Sequence, residues 1–239
     1  MGLGSSFGIT SETNNNIQTD GLVFYVDAAY KSSYPRSGTT WTSLVNTNHT
    51  GSMSNLSFTG NSIDFPGSSN SRCEWNNFAS TAQSMSTGTL SFWFQYDNAS
   101  GNRYMVSMGD KTTNWNANKF HLSMMAAGDW FWGSYGAASR ENVNVGTVLS
   151  TGNIYNITIN SDGKLYLNGS LDFTADDAFW FNNCQTVTYF HFGQQYHGGG
   201  LYDNQLFDGD LYNLYIYDRV LPAAEILQNY NAQKERFGE

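Results

Sequence analysis

The sequence predicts an all-β fold, a two-sheet antiparallel sandwich closed by one short C-terminal helix, and three observations lead there. Short runs with apolar residues at every second position recur along most of the chain, the period that places one set of side chains on each face of a sheet. Charged residues make up 13% of the 239 residues while aromatics reach 16%, alongside 24 glycines, which describes many strands joined by turns. The stretch from Phe207 to Gly238, FDGDLYNLYIYDRVLPAAEILQNYNAQKERFG, opens as a strand and closes as a helix.

That last stretch organises the rest. Tyr212, Leu214 and Ile216 alternate with Asn213, Tyr215 and Tyr217. Pro222 suits a first helical position, and Ile226, Tyr230 and Phe237, widened by Leu227, form the apolar stripe that follows. No other helical pattern is read in the chain. All-β sandwiches of roughly 200–250 residues fold as one unit with a full two-sheet core, so one domain is expected over residues 20–239.

Residues 1–19, MGLGSSFGITSETNNNIQT, carry only Leu3, Phe7, Ile9 and Ile17 as sizeable apolar groups, and they are read as a flexible arm. Such an arm is either a frayed terminus or an anchor on a neighbouring subunit. GSSFG fits the G-x-S-x-G nucleophile pattern, but no strand precedes it and no helix follows. LVFYVD, Leu22 to Asp27, is apolar on both faces, as a strand covered on one side by the terminal helix would be. Short strands follow around Leu56–Phe58 and Ser62–Phe65, then TLSFWFQY (Thr89–Tyr96), RYMVSMG, KFHLSMM and DWFWG. Asn153 to Leu171 reads as a hairpin around an Asp162–Gly163 two-residue turn, with Asn168–Gly169 offering a second turn. TVTYFHFG (Thr186–Gly193) precedes a loop from Gln194 to Gln205.

The net charge of −9, with no cluster of Lys or Arg, excludes a nucleic-acid partner, which needs a phosphate-neutralising stripe. The same acidity disfavours anionic membranes and polyanionic glycans and leaves neutral sugars, cations or protein surfaces. No stretch approaches a membrane span, and the first residues lack a basic start and an apolar core, so no membrane association and no secretion are expected. For an unexported chain, Cys73 and Cys184 are expected as buried free thiols rather than a bridge.

FDGDLYNLYIYDRVL followed by AAEILQNYNAQKERFG resembles the terminal strand and helix of laminin-G-like, concanavalin A-like jelly rolls, and its ending is similar to versions carried by bacteriophage virion proteins. DGLVFYVDAAYKSSYPRSGTTWTSLVN, Asp20 to Asn46, resembles the first strand and following loop of the same phage domains. The resemblance implies a jelly-roll sandwich and a virion protein of the capsid-decoration or tail-fibre kind, made in the host cytoplasm. It would be oligomeric in the particle and would contact other virion proteins, with residues 1–19 as a candidate anchor.

The fold that the resemblance implies also houses glucanases, whose retaining members need two carboxylates about 5 Å apart. None of the six glutamates has an acidic residue two positions away in a strand pattern. Asp208 and Asp210 alternate but open the final strand, so no catalytic residue is assigned and the protein is read as non-enzymatic. Asp20, Asp27, Asp208 and Asp210 are candidate calcium ligands if the first and last strands bring them together. Relatives place an Asp after the aliphatic residue that follows F-x-G-x, whereas here Leu211 is followed by Tyr212. Candidate sugar platforms, aromatic rings with polar neighbours, are Trp115, Trp130, Trp132, Trp180, Tyr196 and, beside Tyr196, His197. His191 is read as a packed, hydrogen-bonded strand histidine. The expectation is therefore a non-enzymatic virion structural protein. The alternatives are a carbohydrate-binding module for host-surface glycans and, last, a polysaccharide hydrolase.

Overall fold

In a computed structural model, the two-residue alternation of the sequence becomes two stacked antiparallel sheets. The structure describes residues 17–98, 103–112, 119–124, 130–135, 140–143, 149–175 and 179–238, with only the backbone described at 124, 130–135, 140–143 and His197. In chain order the strands are β1 (Leu22–Asp27), β2 (Thr40–Thr42), β3 (Thr50–Ser54), β4 (Ser57–Thr59), β5 (Ser62–Pro66), β6 (Arg72–Glu74), β7 (Thr89–Tyr96), β8 (Arg103–Gly109) and β9 (Lys119–Met124). They continue as β10 (Trp130–Tyr135), β11 (Arg140–Val143), β12 (Ile154–Asn160), β13 (Lys164–Leu167), β14 (Ser170–Thr174), β15 (Tyr189–Phe192), β16 (Tyr196–His197), β17 (Gly200–Leu201) and β18 (Asp208–Tyr217). Helix α1 (Ala79–Ser84) precedes β7, and helix α2 (Ala223–Gln233) follows β18 and runs into a 3-10 turn, Lys234–Phe237.

The back sheet has the order β14-β13-β12-β7-β18-β5-β4, with β1 also paired to β18. The front sheet has the order β11-β10-β9-β8-β15-β6-β3-β2. As the resemblance of both chain ends to one domain and the double-sided apolar character of LVFYVD imply, β1 and β18 share a sheet, with Phe24 opposite Ile216 and Val26 opposite Leu214. Strand β18 is long enough to hold β5 along its first half and β1 along its second, while β7 runs along its other edge.

The space between the sheets is filled by the alternate residues of both. Val26, Leu90, Phe92, Leu214 and Ile216 from the back sheet meet Phe120, Leu122, Phe190 and Phe192 from the front. Phe92 meets Phe192 edge to face at 5.5 Å, and each such ring stabilises by about 1.5–3 kcal/mol through burial. The other set of back-sheet residues, Tyr25, Trp93, Tyr215 and Tyr217, forms a second cluster with Ile226 and Phe237. LVFYVD is thus apolar on both faces because the C-terminal helix covers the outer one. Tyr230 stacks on Trp93 at 5.4 Å and 6°. Leu227, expected to widen the apolar stripe, is instead exposed on the surface of α2.

The helix is pinned at its far end as well. Arg236 donates from both terminal nitrogens to Asp27, at 2.6 and 2.5 Å, and Asp27 is fully buried. Gly238 ends the segment with φ 78, the left-handed conformation that favours glycine. At the other terminus Ile17 is buried in the helix-side cluster and Gln18 N–H donates to Asn229 Oδ1, so packing begins inside the stretch read as an arm. Residues 1–16 lie outside the described residues.

The hairpin between β12 and β13 departs from its expected turn. The connection holds three residues, Ser161 to Gly163, and only Gly163 has positive φ, the arrangement of a turn followed by a glycine bulge. The two-residue turn with both φ positive is the next one, Asn168–Gly169. Helix α1 also escapes periodicity, because six residues that bury only Ala79 and Ala82 show no stripe.

Candidate functional site

The two sheets differ in what lies on their outer faces. The back sheet's outer layer is aromatic and capped by α2. The front sheet's outer layer is polar, and in register across its strands stand Ser52, Glu74, His191, Ser107 and His121, followed at backbone level by Gly133 and Arg140. Strand alternation dictates this row: Phe190 and Phe192 point inward on β15, so Tyr189 and His191 face the other way.

The middle of that row is buried, although nothing from the core covers it. His191 is 0% exposed, Ser107 0% and His121 1%. The cover is the segment after β15, in which β16 and β17 form a small hairpin with Tyr196 opposite Leu201. The Tyr196 ring lies 5.3 Å from both Tyr189 and His191, and Lys111 sits over it at 4.8 Å. Ser107 Oγ donates to Gln194 O at 3.0 Å, and Lys119 Nζ donates to Tyr196 O at 2.8 Å. Gln194 Nε2 donates to Asp203 Oδ1 at 2.7 Å, which ties the ends of the segment together.

Electrostatics follow from that burial. Burial holds the His121 imidazole down at about 3, helped by the Lys119 charge, and holds His191 well below the usual histidine range, helped by Lys111 and Arg72. Both are therefore neutral at pH 7. Burial also lowers Lys119 to about 8 against the nearby charge of Asp110 and raises the Tyr189 phenol well above its ordinary value. His191 Nε2 lies 3.1 Å from Asn76 Oδ1 and 3.4 Å from Glu74 Oε1, which also accepts from Arg72 Nε at 2.6 Å. As read from its strand position, His191 is a packed, hydrogen-bonded histidine. Chemically the layer offers imidazole, phenol, hydroxyl, amide and ammonium groups beside aromatic faces, a set suited to many hydroxyls held at once.

The sequence's sugar candidates fall in different places. Trp180 is a core side chain, 2% exposed and packed on Phe181 and Phe120, so it is not a surface platform. Tyr196 belongs to the front-sheet site, but as the ring that covers Tyr189 and His191. His197 pairs with Gly200 in the same hairpin. Trp130 and Trp132 lie on β10 opposite Met124 and Leu122, and their side chains are outside the described set. Trp115 lies outside the described residues. The sequence reading did not single out Tyr189, Ser107, Lys119, His121, Gln194 or Glu74 as binding candidates, because their juxtaposition depends on register between strands far apart in the chain.

The four aspartates proposed for calcium do not converge. Gly21 O accepts from Asp218 N at 2.8 Å, which places Asp20 at the end of β18, about 30 Å along the strand from Asp208 at its start. Asp20 lies 3.2 Å from Arg219 instead. Asp27 lies between these ends and is occupied by Arg236, Tyr25 Oη and Ala29 N–H. Asp210 stands in register with Asp64, each held by a serine, Ser62 at 2.6 Å and Ser57 at 2.9 Å. Burial raises the Asp210 pKa, and the charges of Asp64 and Asp97 add to the effect. This cross-strand carboxylate pair is invisible to a search for alternating acids on one strand. Among the described residues no group of three or more His, Cys, Asp or Glu is placed to hold a metal ion. Cys73 and Cys184 are free and buried, as expected.

A groove of about 490 Å³ lies between α2 and β14, lined by Leu171, Leu227, Tyr166 and the Asp162–Lys164 pair. It contains none of the aromatic candidates and no polar layer comparable with that of the front sheet.

Comparison with known proteins bears on the fold. Trypanosoma rangeli sialidase superposes with a TM-score of 0.66 at 18% identity, covering 91% of this chain and 34% of its own. A mutant of that enzyme displaying trans-sialidase activity gives 0.66 at 16% identity, with 93% and 34% covered. The CBM40 of the Ruminococcus gnavus IT-sialidase, bound to α2,3-sialyllactose, gives 0.60 at 16% identity, covering 70% of this chain and 94% of its own. The chain thus spans about a third of the length of the sialidases it resembles. No curated protein matches the sequence. Residues 66–227, more than half of the chain, match the Laminin_G_3 family, and the chain therefore belongs to the concanavalin A-like lectin/glucanases superfamily.

Proposed function

We propose that this protein is a non-catalytic glycan-binding domain whose ligand contacts the outer face of the front sheet. The observation that carries the reading is the layer itself. A sheet face built from Glu74, His191, Ser107, His121 and Tyr189, in place of apolar residues, has no role in packing the core, while its carboxylate, imidazole, hydroxyl and aromatic groups match the edges and faces of a sugar ring. The fold it shares with a carbohydrate-binding module bound to sialyllactose adds support. The likeness of the chain's two ends to phage virion proteins concerns where such a domain is displayed. That address, with the contacts to other virion proteins and the oligomeric state, rests on those two segments alone.

The non-catalytic part rests on Glu74, the carboxylate of the row, whose neighbours in register are Ser52 and His191. Glu74 already accepts from Arg72 and Asn76 and is not paired with a second acid there. The test is a glycan array with neutral and sialylated oligosaccharides, followed by calorimetry on the best ligand. Glu74→Gln and His191→Gln are expected to weaken binding at least tenfold, with Leu171→Ser, on the opposite sheet, as the unaffected control. Binding equally strong in all three variants would overturn the assignment of the face. Turnover of any ligand that Asp210→Asn abolishes would replace binding by hydrolysis at the Asp64–Asp210 pair.

A further inference from the structure

The buried row is covered in an unusual way. The hairpin's base is firmly held: Phe207 N–H donates to Gly193 O and Gly193 N–H to Met105 O, while the Phe207 side chain is wholly buried. The hairpin's body is held mainly by polar and ring contacts, Tyr202 N–H to Gln195 O, Lys119 Nζ to Tyr196 O and the Tyr196 ring on Tyr189 and His191. Its strands contribute two register pairs, and its tip, Gly198 to Gly200, is exposed, with positive φ at Gly198 and Gly199. What it covers is polar, and the fit leaves hydrogen-bonding groups unpaired. Gln194 Oε1 and Gln195 Nε2 are buried without a hydrogen-bond partner among the described residues. A buried amide atom without a partner favours any state that supplies one. A segment held by few buried apolar contacts belongs to the low-stability end of a structure.

We propose that residues 195–205 form a displaceable cover and that the layer beneath, centred on Tyr189, His191, Ser107 and Lys119, is the inner subsite for a sugar. This rests on the glycan reading of the front sheet. Moving the hairpin uncovers the Tyr189 ring face and releases the Ser107 hydroxyl from Gln194 O and the Lys119 ammonium from Tyr196 O. A sugar ring then stacks on Tyr189 with its hydroxyls on Ser107, Lys119 and His191. The free protein is mostly closed, so its apparent affinity is reduced by the fraction of molecules that are open.

Two measurements on the full chain separate this inference from the glycan reading. Ser107→Cys places a thiol under the hairpin, and the native Cys73 and Cys184, both in the core, serve as internal controls that react only when the fold opens. With a displaceable cover the introduced thiol reacts with a maleimide at least about a hundredfold faster than the native pair. Reaction of all three at one rate overturns the cover, whatever the protein binds. In the second measurement, Tyr196–Leu201 is replaced by Gly-Ser-Gly and affinity for the best array glycan is compared with wild type. A gain of fivefold or more is expected from removing the closed state. Unchanged or weaker binding overturns the cover and the inner subsite, and leaves glycan binding standing only with contacts outside the buried part of the row, at the partly exposed Glu74 end. Absence of glycan binding in both proteins overturns the glycan reading and the inner subsite with it, while the labelling result still decides whether the hairpin opens.

Discussion

Replacing Arg236 by Met tests whether the terminal latch is a buried ion pair or a surface ornament. Asp27 is fully buried and meets the guanidinium through two short hydrogen bonds, at 2.5 and 2.6 Å, with Tyr25 Oη at 2.9 Å and Ala29 N–H at 3.0 Å as its further donors. Methionine keeps a stem over the rings of Tyr30 and Phe237, which Arg236 covers at 5.6 and 4.8 Å, and removes only the charge. Asp27 then remains buried without its counter-ion, a loss of about 3–5 kcal/mol, against about 0–1 for an exposed pair. For a chain of this length that corresponds to roughly 6–20 °C in Tm. Urea unfolding followed by tryptophan fluorescence gives the free energy directly, with an unchanged m-value expected. The double variant Asp27→Asn/Arg236→Met should recover at least half of the loss, since no unpaired charge is left. A loss below about 1 kcal/mol in the single variant, or one that high salt erases, would refute the reasoning.

Further outcomes follow from the buried titrating groups. Because burial raises Asp210 above its unfolded value, the folded state holds that proton more tightly, and stability falls as pH rises from about 4 through the raised pKa. Asp210→Asn should therefore stabilise at pH 7 and make no difference near pH 3 in thermal melts. His121 and His191 run the other way: both are depressed in the fold, so the unfolded chain takes up their protons first, and stability should drop as pH falls below about 6.5. A pH titration of Tm with a flat profile between 7 and 5 would contradict that burial. Cys73 and Cys184, with the latter's thiol raised to about 12 by burial, should resist alkylation in the native protein, and reductant should leave Tm unchanged.

Much of the sandwich was legible because its strands obey one rule. Thr89–Tyr96 alternates with period two, and both of its faces find apolar partners, the core for Phe92 and the helix cluster for Trp93. The pairing of the first and last strands was legible from the resemblance of both chain ends to one domain, together with LVFYVD, which needs cover on both sides. What was not legible is short or long-range. Strands β2, β3 and β6, TWT, TGSMS and RCE, have three to five residues each, too few for a period to emerge. The Asp27–Arg236 pair joins residues 209 positions apart and has no local signature.

The site was hidden by a more specific physical circumstance. Alternation says which residues leave the core, but it does not say whether they then meet water or another segment. On β15 the outward residues Tyr189 and His191 have the same pattern in either case. Among the described residues it is the fold of 194–205 back over the sheet, with the Tyr196 ring against both, that turns them from surface groups into a buried polar layer. Aromatic content misled for a related reason, because Trp180 resembles a platform in sequence yet its ring is consumed between Phe120 and Phe181. The polar layer is the more informative signal. A buried Trp lowers the energy of any sandwich, whereas buried His, Lys, Ser and Gln raise it unless partners are supplied. Their concentration under the 194–205 segment is what the proposed displaceable cover accounts for, since a ligand there would supply the missing partners.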